Sequence, residues 1–246
     1  MSETTYTTQC GNGTLMNADA FSLALDDTLE HSARMVVTSP PYNAGKEYES
    51  WSSWEEYFSF LGKFAALCDY LIAEGGYVFI NFGVEYTAPK RIEQVYHEAF
   101  GAYGWRVITE RVWKKKSSTV ARKAYNWRSP RAIADHEHLW TLRREKETSW
   151  DPPRDKDRSI MSVWDTSEEP TGALMQHPAA FPEAIPKWAM QVHCDPGDLV
   201  VDPFSGSGTT VCVALQLGMR ATGTELRGDY HETAVKNASN LQRGLF

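Results

Sequence analysis

The chain has 246 residues, 42% of them hydrophobic and 23% charged, with a formal net charge of −7. That composition belongs to a globular domain and excludes a disordered chain, a collagen-like repeat and a disulfide-stapled miniprotein. No apolar run approaches the roughly 20 residues that cross a bilayer, and the first thirteen residues lack the basic flank and apolar core of a secretory signal, so no membrane partner is expected and the protein reads as cytoplasmic.

In chain order, Arg34 to Thr38 is a short β-branched strand stopped by Ser39-Pro40-Pro41. Trp54 to Ala73 carries apolar residues at helical spacing (Tyr57, Phe60, Leu61, Phe64, Leu67, Leu71), with Gly75-Gly76 expected as the stop. Tyr77 to Phe82 reads as a buried strand, Ile92 to Phe100 as a helix and Trp105 to Trp113 as another strand. Residues 114–176 differ: basic at first, then mixed in charge and punctuated by Pro130, Pro152, Pro153 and Pro170, with one strand expected around Glu137 to Leu142. From residue 177 the rhythm returns, with strands at Leu199–Val201 and Arg220–Thr224 and helices at Thr209–Leu217 and Asp229–Asn240. Alternating strands and helices predict an α/β fold with a doubly wound, mostly parallel sheet. The expected organisation is one domain in two halves, 1–113 and 177–246, around a loop-rich insert at 114–176. The four cysteines, Cys10, Cys68, Cys194 and Cys212, form no CxxC pair and read as reduced thiols.

The charge is unevenly spread. Between positions 111 and 131 stand Arg111, Lys114, Lys115, Lys116, Arg122, Lys123, Arg128 and Arg131, with no acidic residue, and Trp113, Tyr125 and Trp127 lie among them. Cations that neutralise phosphates beside rings that stack on bases suit a nucleic-acid surface. An acidic body with one basic stripe would orient itself on DNA.

Three motifs carry chemistry. The run Val201-Asp202-Pro203-Phe204-Ser205-Gly206-Ser207-Gly208-Thr209-Thr210 takes a strand through a glycine-rich turn into a helix, whose first N–H groups are unpaired. It has no P-loop lysine, and Val211 stands where a dinucleotide fingerprint needs a third small residue. Glu225 ends the next expected strand, where a carboxylate can accept from both hydroxyls of a bound ribose. In Ser39-Pro40-Pro41-Tyr42, the Ser39 hydroxyl and the Pro40 carbonyl can both accept from one planar amino group, and Tyr42 offers a ring face for stacking. Asp135-His136-Glu137-His138 puts two histidines on one strand face but has no third partner at ligand spacing, so no metal is expected. Trp51 to Phe60 reads as core or the flank of a lid, and Gly45-Lys46-Glu47-Tyr48 as a loop that closes on the substrate.

Taken together, these motifs resemble the S-adenosylmethionine-dependent DNA amino-methyltransferases in their circularly permuted beta order, in which [SDN]PP[YFW] precedes FxGxG. Ser39-Pro40-Pro41-Tyr42 here precedes Phe204-Ser205-Gly206-Ser207-Gly208. The likeness extends to His177-Pro178-Ala179-Ala180-Phe181-Pro182-Glu183, to Gly223-Thr224-Glu225-Leu226 with Tyr230, and to Asn17-Ala18-Asp19-Ala20. It covers roughly 14–113 and 177–240. It implies a seven-stranded Rossmann-like sheet and a catalytic Ser39-Pro40-Pro41-Tyr42. S-adenosylmethionine would be held by Asp19 and Ala20 at the adenine, Glu225 at the ribose, Phe181 near the methionine arm, and Asp202, Phe204, Ser205, Gly206, Gly208 and Thr209 at the turn. It further implies double-stranded DNA as the partner, read by the 114–176 insert through Lys114, Lys115, Lys116, Arg122, Lys123, Arg128 and Arg131. A cognate restriction endonuclease and a homodimer are the other partners such enzymes take. In the family SPPY mostly accompanies cytosine N4 and DPPY adenine N6, which makes cytosine N4 the expected acceptor. Adenine N6 in DNA, and an RNA or protein substrate, stand as alternatives. No Pro-Cys-Gln nucleophile is present for attack at cytosine C5.

Overall fold

The computed structural model describes residues 8–10, 12–43, 51, 53–84, 88–114, 135–145, 163–165 and 181–242. Among these residues nine strands form a single sheet: β1 (Thr8–Cys10), β2 (Gly13–Asn17), β3 (Ala33–Thr38), β4 (Ile72–Gly83), β5 (Trp105–Lys114), β6 (His136–Arg144), β7 (Val163–Asp165), β8 (Leu199–Asp202) and β9 (Arg220–Glu225), in the order β1-β2-β9-β8-β3-β4-β6-β5-β7. The helices are α1 (Trp54–Leu71), α2 (Ile92–Gly101), α3 (Ala184–His193), α4 (Thr209–Gln216) and α5 (Gly228–Gln242), with a 3-10 helix at Ala20–Leu25.

The expected seven-stranded, mostly parallel sheet is the body of this array. β2, β9, β8, β3 and β4 run parallel, β6 runs antiparallel between β4 and β5, and the three-residue strands β1 and β7 extend the two edges. Both faces of the centre are covered, so its strands read as continuous apolar runs. On β3, Val36 packs into one core with α1 and α2, while Met35 and Val37 pack into the other with α3, α4 and α5. Each large side chain buried this way contributes roughly 1.5–3 kcal/mol.

Ser53 caps α1 by accepting from the Glu56 N–H, and Glu55 and Glu56 sit in its first turn, where the helix dipole favours them. The helix does not run to the glycines. It ends at Leu71, and Ile72 enters β4 directly. In register, Ala33 faces Ile72 but Met35 faces Tyr77, so residues 73–76 loop out as a bulge. Gly75 takes φ 77 there, and a Cβ on Gly76 would meet Ile72 at 2.6 Å and the Arg34 carbonyl at 2.9 Å. The glycines therefore serve a bulge, not a helix stop.

The 114–176 segment also departs from a simple insert. The strand expected near 137–142 is β6, nine residues long and hydrogen-bonded between β4 and β5, so it is sheet core. β7 pairs with the end of β5. The sequence reading did not single out β1, β2, β7 or α3, whose Ile185, Trp188, Ala189, Met190 and Val192 are buried against the sheet.

Candidate active site

The carboxyl ends of β2, β9, β8, β3 and β4 meet on one edge of the sheet, where parallel α/β sheets hold ligands. A cavity of about 490 Å³ opens there. Asp19, Ala20, Ser39, Pro40, Pro41, Tyr42, Phe181, Asp202, Phe204, Ser205, Gly206, Thr209 and Glu225 all line it. Gly208 lies behind the lining: at φ 83, a Cβ there would meet Ala234 of α5 at 2.9 Å.

One end is built on the β8–α4 turn. Glu225 Oε2 accepts from the Gly206 N–H at 3.0 Å, and Oε1 accepts from the Arg227 N–H at 2.8 Å. Burial pushes the Glu225 carboxyl above its usual range, and these two bonds oppose the rise. The Ser205 N–H donates to the Thr224 carbonyl, the Thr224 hydroxyl to the Pro203 carbonyl, and the Asn237 amide to the Ser207 carbonyl. Asn17 at the end of β2 donates to the Glu225 and Leu226 carbonyls at 2.8 and 3.1 Å, joining the two strand ends. Asp19 caps the 3-10 helix, its Oδ1 accepting from the Phe21 N–H at 2.8 Å.

Asp202 bridges the ends. Its Oδ1 accepts from the Thr38 hydroxyl at 2.6 Å and the Phe204 N–H at 3.1 Å. Burial pushes its carboxyl up to about 6 against those bonds, and nearby Glu225 adds to the rise.

At the other end Ser39 Oγ lies 2.5 Å from the Tyr42 hydroxyl. The Tyr57 hydroxyl donates to the Pro41 carbonyl at 3.1 Å, fixing the proline turn to α1. Gly83 leaves room for the Tyr42 ring, which a Cβ there would meet at 3.0 Å. The Tyr42 hydroxyl is thus tied into the protein, whereas the sequence suggested a ring face alone. Two further side chains complete this end, Asn81 of β4 and Glu137 of β6. Both are buried, and Asn81 Nδ2 donates to Glu137 Oε2 at 2.6 Å and to the Tyr42 hydroxyl at 2.8 Å. The only sequence signal for Asn81 is a lone amide inside an apolar strand; for Glu137 there was none beyond a charged run. The cavity wall is aromatic. Trp51 packs on Phe60 at 5.0 Å, and Phe60 on Phe204 at 5.7 Å, so Trp51 and Phe60 are part of the site wall.

His138 stacks on Phe82 and lies between Glu93 and Glu110, at 3.4 and 3.3 Å. Lys114 is exposed at the end of β5. Lys115, Lys116, Arg122, Lys123, Arg128, Arg131, the 45–48 loop and residues 177–180 lie outside the described residues. Cys68, Cys194 and Cys212 are buried and not joined in a disulfide among the described residues, where no helix is long and apolar enough to cross a membrane.

A model of the N6/N4 DNA methylases matches residues 33–236, which contain both ends of the cavity except Asp19, Ala20 and Phe21. This chain belongs to the N6/N4 DNA methylase family. As a DNA methylase it is 28% identical over 240 residues to the type II methyltransferase M.ScaI of Streptomyces caespitosus, across 86% of this chain and 77% of the relative. It is 26% identical over 252 residues to the DNA adenine methyltransferase YhdJ of Escherichia coli, across 91% and 81%. Its fold matches a solved PvuII DNA methyltransferase, described as cytosine-N4-specific, with a TM-score of 0.75 and 23% identity over 93% of this chain and 86% of that one.

Proposed function

We propose that this DNA methylase transfers a methyl group from S-adenosylmethionine to the exocyclic N4 amine of a cytosine flipped out of double-stranded DNA. The observation that carries the reading is the placement of Ser39 and Pro40 at one end of a cavity whose other end holds Glu225 and Asp19.

The donor set fits the cofactor. Each Glu225 oxygen has one backbone donor, leaving one lone pair apiece for the ribose hydroxyls. Asp19 uses Oδ1 in its cap and keeps Oδ2 for the adenine amine. Phe181, buried and on the cavity wall, would pack beside the methionine arm, and the Phe204 turn with Ala20, Ser205 and Thr209 would form the floor. When bound, the sulfonium supplies an activated methyl group with its own leaving group.

The chain's residues do the positioning. The amine of cytosine is a weak nucleophile because its lone pair is delocalised into the ring. Ser39 Oγ and the Pro40 carbonyl accept from its two N–H bonds, favour pyramidal nitrogen and aim the lone pair at the methyl group. Extruding the base costs roughly a few kcal/mol, and stacking on Tyr42 and the aromatic wall offsets about 1–3 kcal/mol of that.

The basic stretch after β5 reads as the DNA-recognition element. The described residues nearest its two sides, Lys114 and His136, are paired positions beside Glu137, so both flanks stand at the active-site edge. Homodimer formation and a partner endonuclease remain part of this proposal, the latter in keeping with a relative named as a type II methyltransferase.

The test is incubation with unmethylated DNA of mixed sequence and S-adenosylmethionine, followed by digestion to nucleosides and mass spectrometry. N4-methylcytosine is expected. A second reading, adenine N6, has its own support in the likeness to YhdJ along most of the chain, and N6-methyladenine would establish it instead. Methylation of RNA with none in DNA would overturn both.

A further inference from the structure

Glu137 has no part in the reaction as proposed above, yet it sits directly behind it. Its strand β6 is antiparallel to β4, which puts Glu137 opposite Gly83 and beside the carboxyl end of the sheet. Glu137 is 7% exposed, and its Oε2 lies 2.6 Å from Asn81 Nδ2 and 3.3 Å from the Tyr42 hydroxyl. The carboxylate fixes the orientation of the Asn81 amide, since turning it would set two oxygens against each other at 2.6 Å. The two Asn81 protons then go to its nearer neighbours, Glu137 and Tyr42. Ser39 Oγ, at 3.4 Å, is only a distant third.

This arrangement gives the hydroxyl chain one direction. The Tyr42 oxygen accepts from Asn81, and the acceptors described around its proton are the Glu137 carboxylate and the Asn81 carbonyl, both at 3.3 Å. Ser39 Oγ has one described acceptor in reach, the Tyr42 oxygen, because its other neighbour, Asn81 Nδ2, is a donor. The Ser39 proton therefore points to Tyr42 and the Tyr42 proton to Glu137, which leaves Ser39 offering only lone pairs to the cavity.

We propose that Glu137 is the positioning residue that makes Ser39 a pure acceptor toward the target amine and receives the proton the amine loses. The inference rests on the amine-transfer reading and deepens it. As the nitrogen forms its bond to the methyl carbon and the sulfur–methyl bond breaks, the nitrogen becomes cationic. It gives a proton to Ser39 Oγ while the Ser39 proton moves to the Tyr42 oxygen and the Tyr42 proton to Glu137 Oε2. The product is a neutral methylated amine with Glu137 protonated. The same polarity rejects a base with a carbonyl at that position, because two sets of lone pairs would face each other.

The experiment measures single-turnover methylation of unmethylated duplex DNA by wild type, Glu137→Gln, Tyr42→Phe and the double variant, with cofactor affinity measured by calorimetry. Glutamine keeps the shape and an oxygen for Asn81 and Tyr42, which meet the same Oε2, but it cannot take up the proton. Each single variant is expected to lose roughly 100-fold in rate with cofactor affinity unchanged, and the double variant to lose no more than either, since both cut one path. Wild type should show a solvent deuterium isotope effect that Glu137→Gln removes. Wild-type rates in Glu137→Gln, or losses that multiply in the double variant, would overturn the proposal while leaving the amine-transfer reading intact. If Glu137→Gln does not fold, Tyr42→Phe decides: a wild-type rate and isotope effect there overturn it. Wild-type protein that methylates no DNA base would remove the parent reading, and this one with it.

Discussion

At the β8–β9 end of the cavity each of these polar contacts has a backbone group on at least one side, as with the Gly206 and Arg227 N–H groups on Glu225 and the Ser205 N–H on the Thr224 carbonyl. At the β3–β4–β6 end they are made by side chains, in the cluster of Ser39, Tyr42, Asn81 and Glu137. Backbone contacts follow from the path of the chain and suit a constant ligand. Side-chain contacts depend on each member and can be tuned to one acceptor. Substitutions at the first end should therefore appear in cofactor affinity, and at the second in turnover.

The largest expected effect tests the side-chain end. Ser39→Ala should lower methylation turnover about 100- to 1,000-fold, the usual loss for one preorganised polar contact to the reacting group, with the cofactor dissociation constant within about twofold of wild type. Turnover equal to wild type would remove Ser39 from the chemistry. At the backbone end, Glu225→Ala strands the Gly206 and Arg227 N–H groups as well as the ribose. Cofactor affinity should fall roughly 10- to 100-fold, or about 1.4–2.8 kcal/mol, by calorimetry. Turnover at saturating cofactor should change far less. An affinity loss in Ser39→Ala matching that in Glu225→Ala would break the division.

Asp202 sharpens the comparison because it accepts a side chain from one region and a backbone N–H from the other. Its carboxyl is raised from the ordinary 3.8 to about 6 by burial. A folded-state value above the unfolded one means that the native state holds the proton more tightly. The stability this brings is full below about pH 4 and is lost as pH rises through about 6. Relative to Asp202→Asn, wild type should lose on the order of 2 kcal/mol between pH 4 and pH 7 in denaturant titrations. A constant difference across that range would mean the carboxyl is not raised.

The same division explains what could be read from the sequence. The strands at 34–38, 77–82, 105–113, 199–201 and 220–224 and the helices α1, α2, α4 and α5 were legible because each is an apolar or periodic run between Gly, Pro or Ser punctuation. The glycine turn and the SPPY run were legible because backbone demands write themselves into residue type. Asn81 and Glu137 were not, because they lie far apart in sequence and become partners only when β6 inserts antiparallel between β4 and β5. The end of α1 was misread for a related reason. Gly75-Gly76 carries the same local signal as a helix stop and as a bulge, and only the register of β3 against β4 decides between them.

The smallest effect lies at the edge nearest the side-chain end. Lys114 is exposed on β5 opposite His136, one position from Glu137, at the start of the basic stretch. If that stretch tracks the phosphates, Lys114→Ala should weaken binding a few-fold and flatten the plot of log affinity against log salt by about 0.9. The loss should be equal on specific and random duplexes, because a phosphate contact carries no sequence information. A loss confined to the specific duplex would instead assign Lys114 to a base edge. Recognition would then begin one strand position from the catalytic cluster.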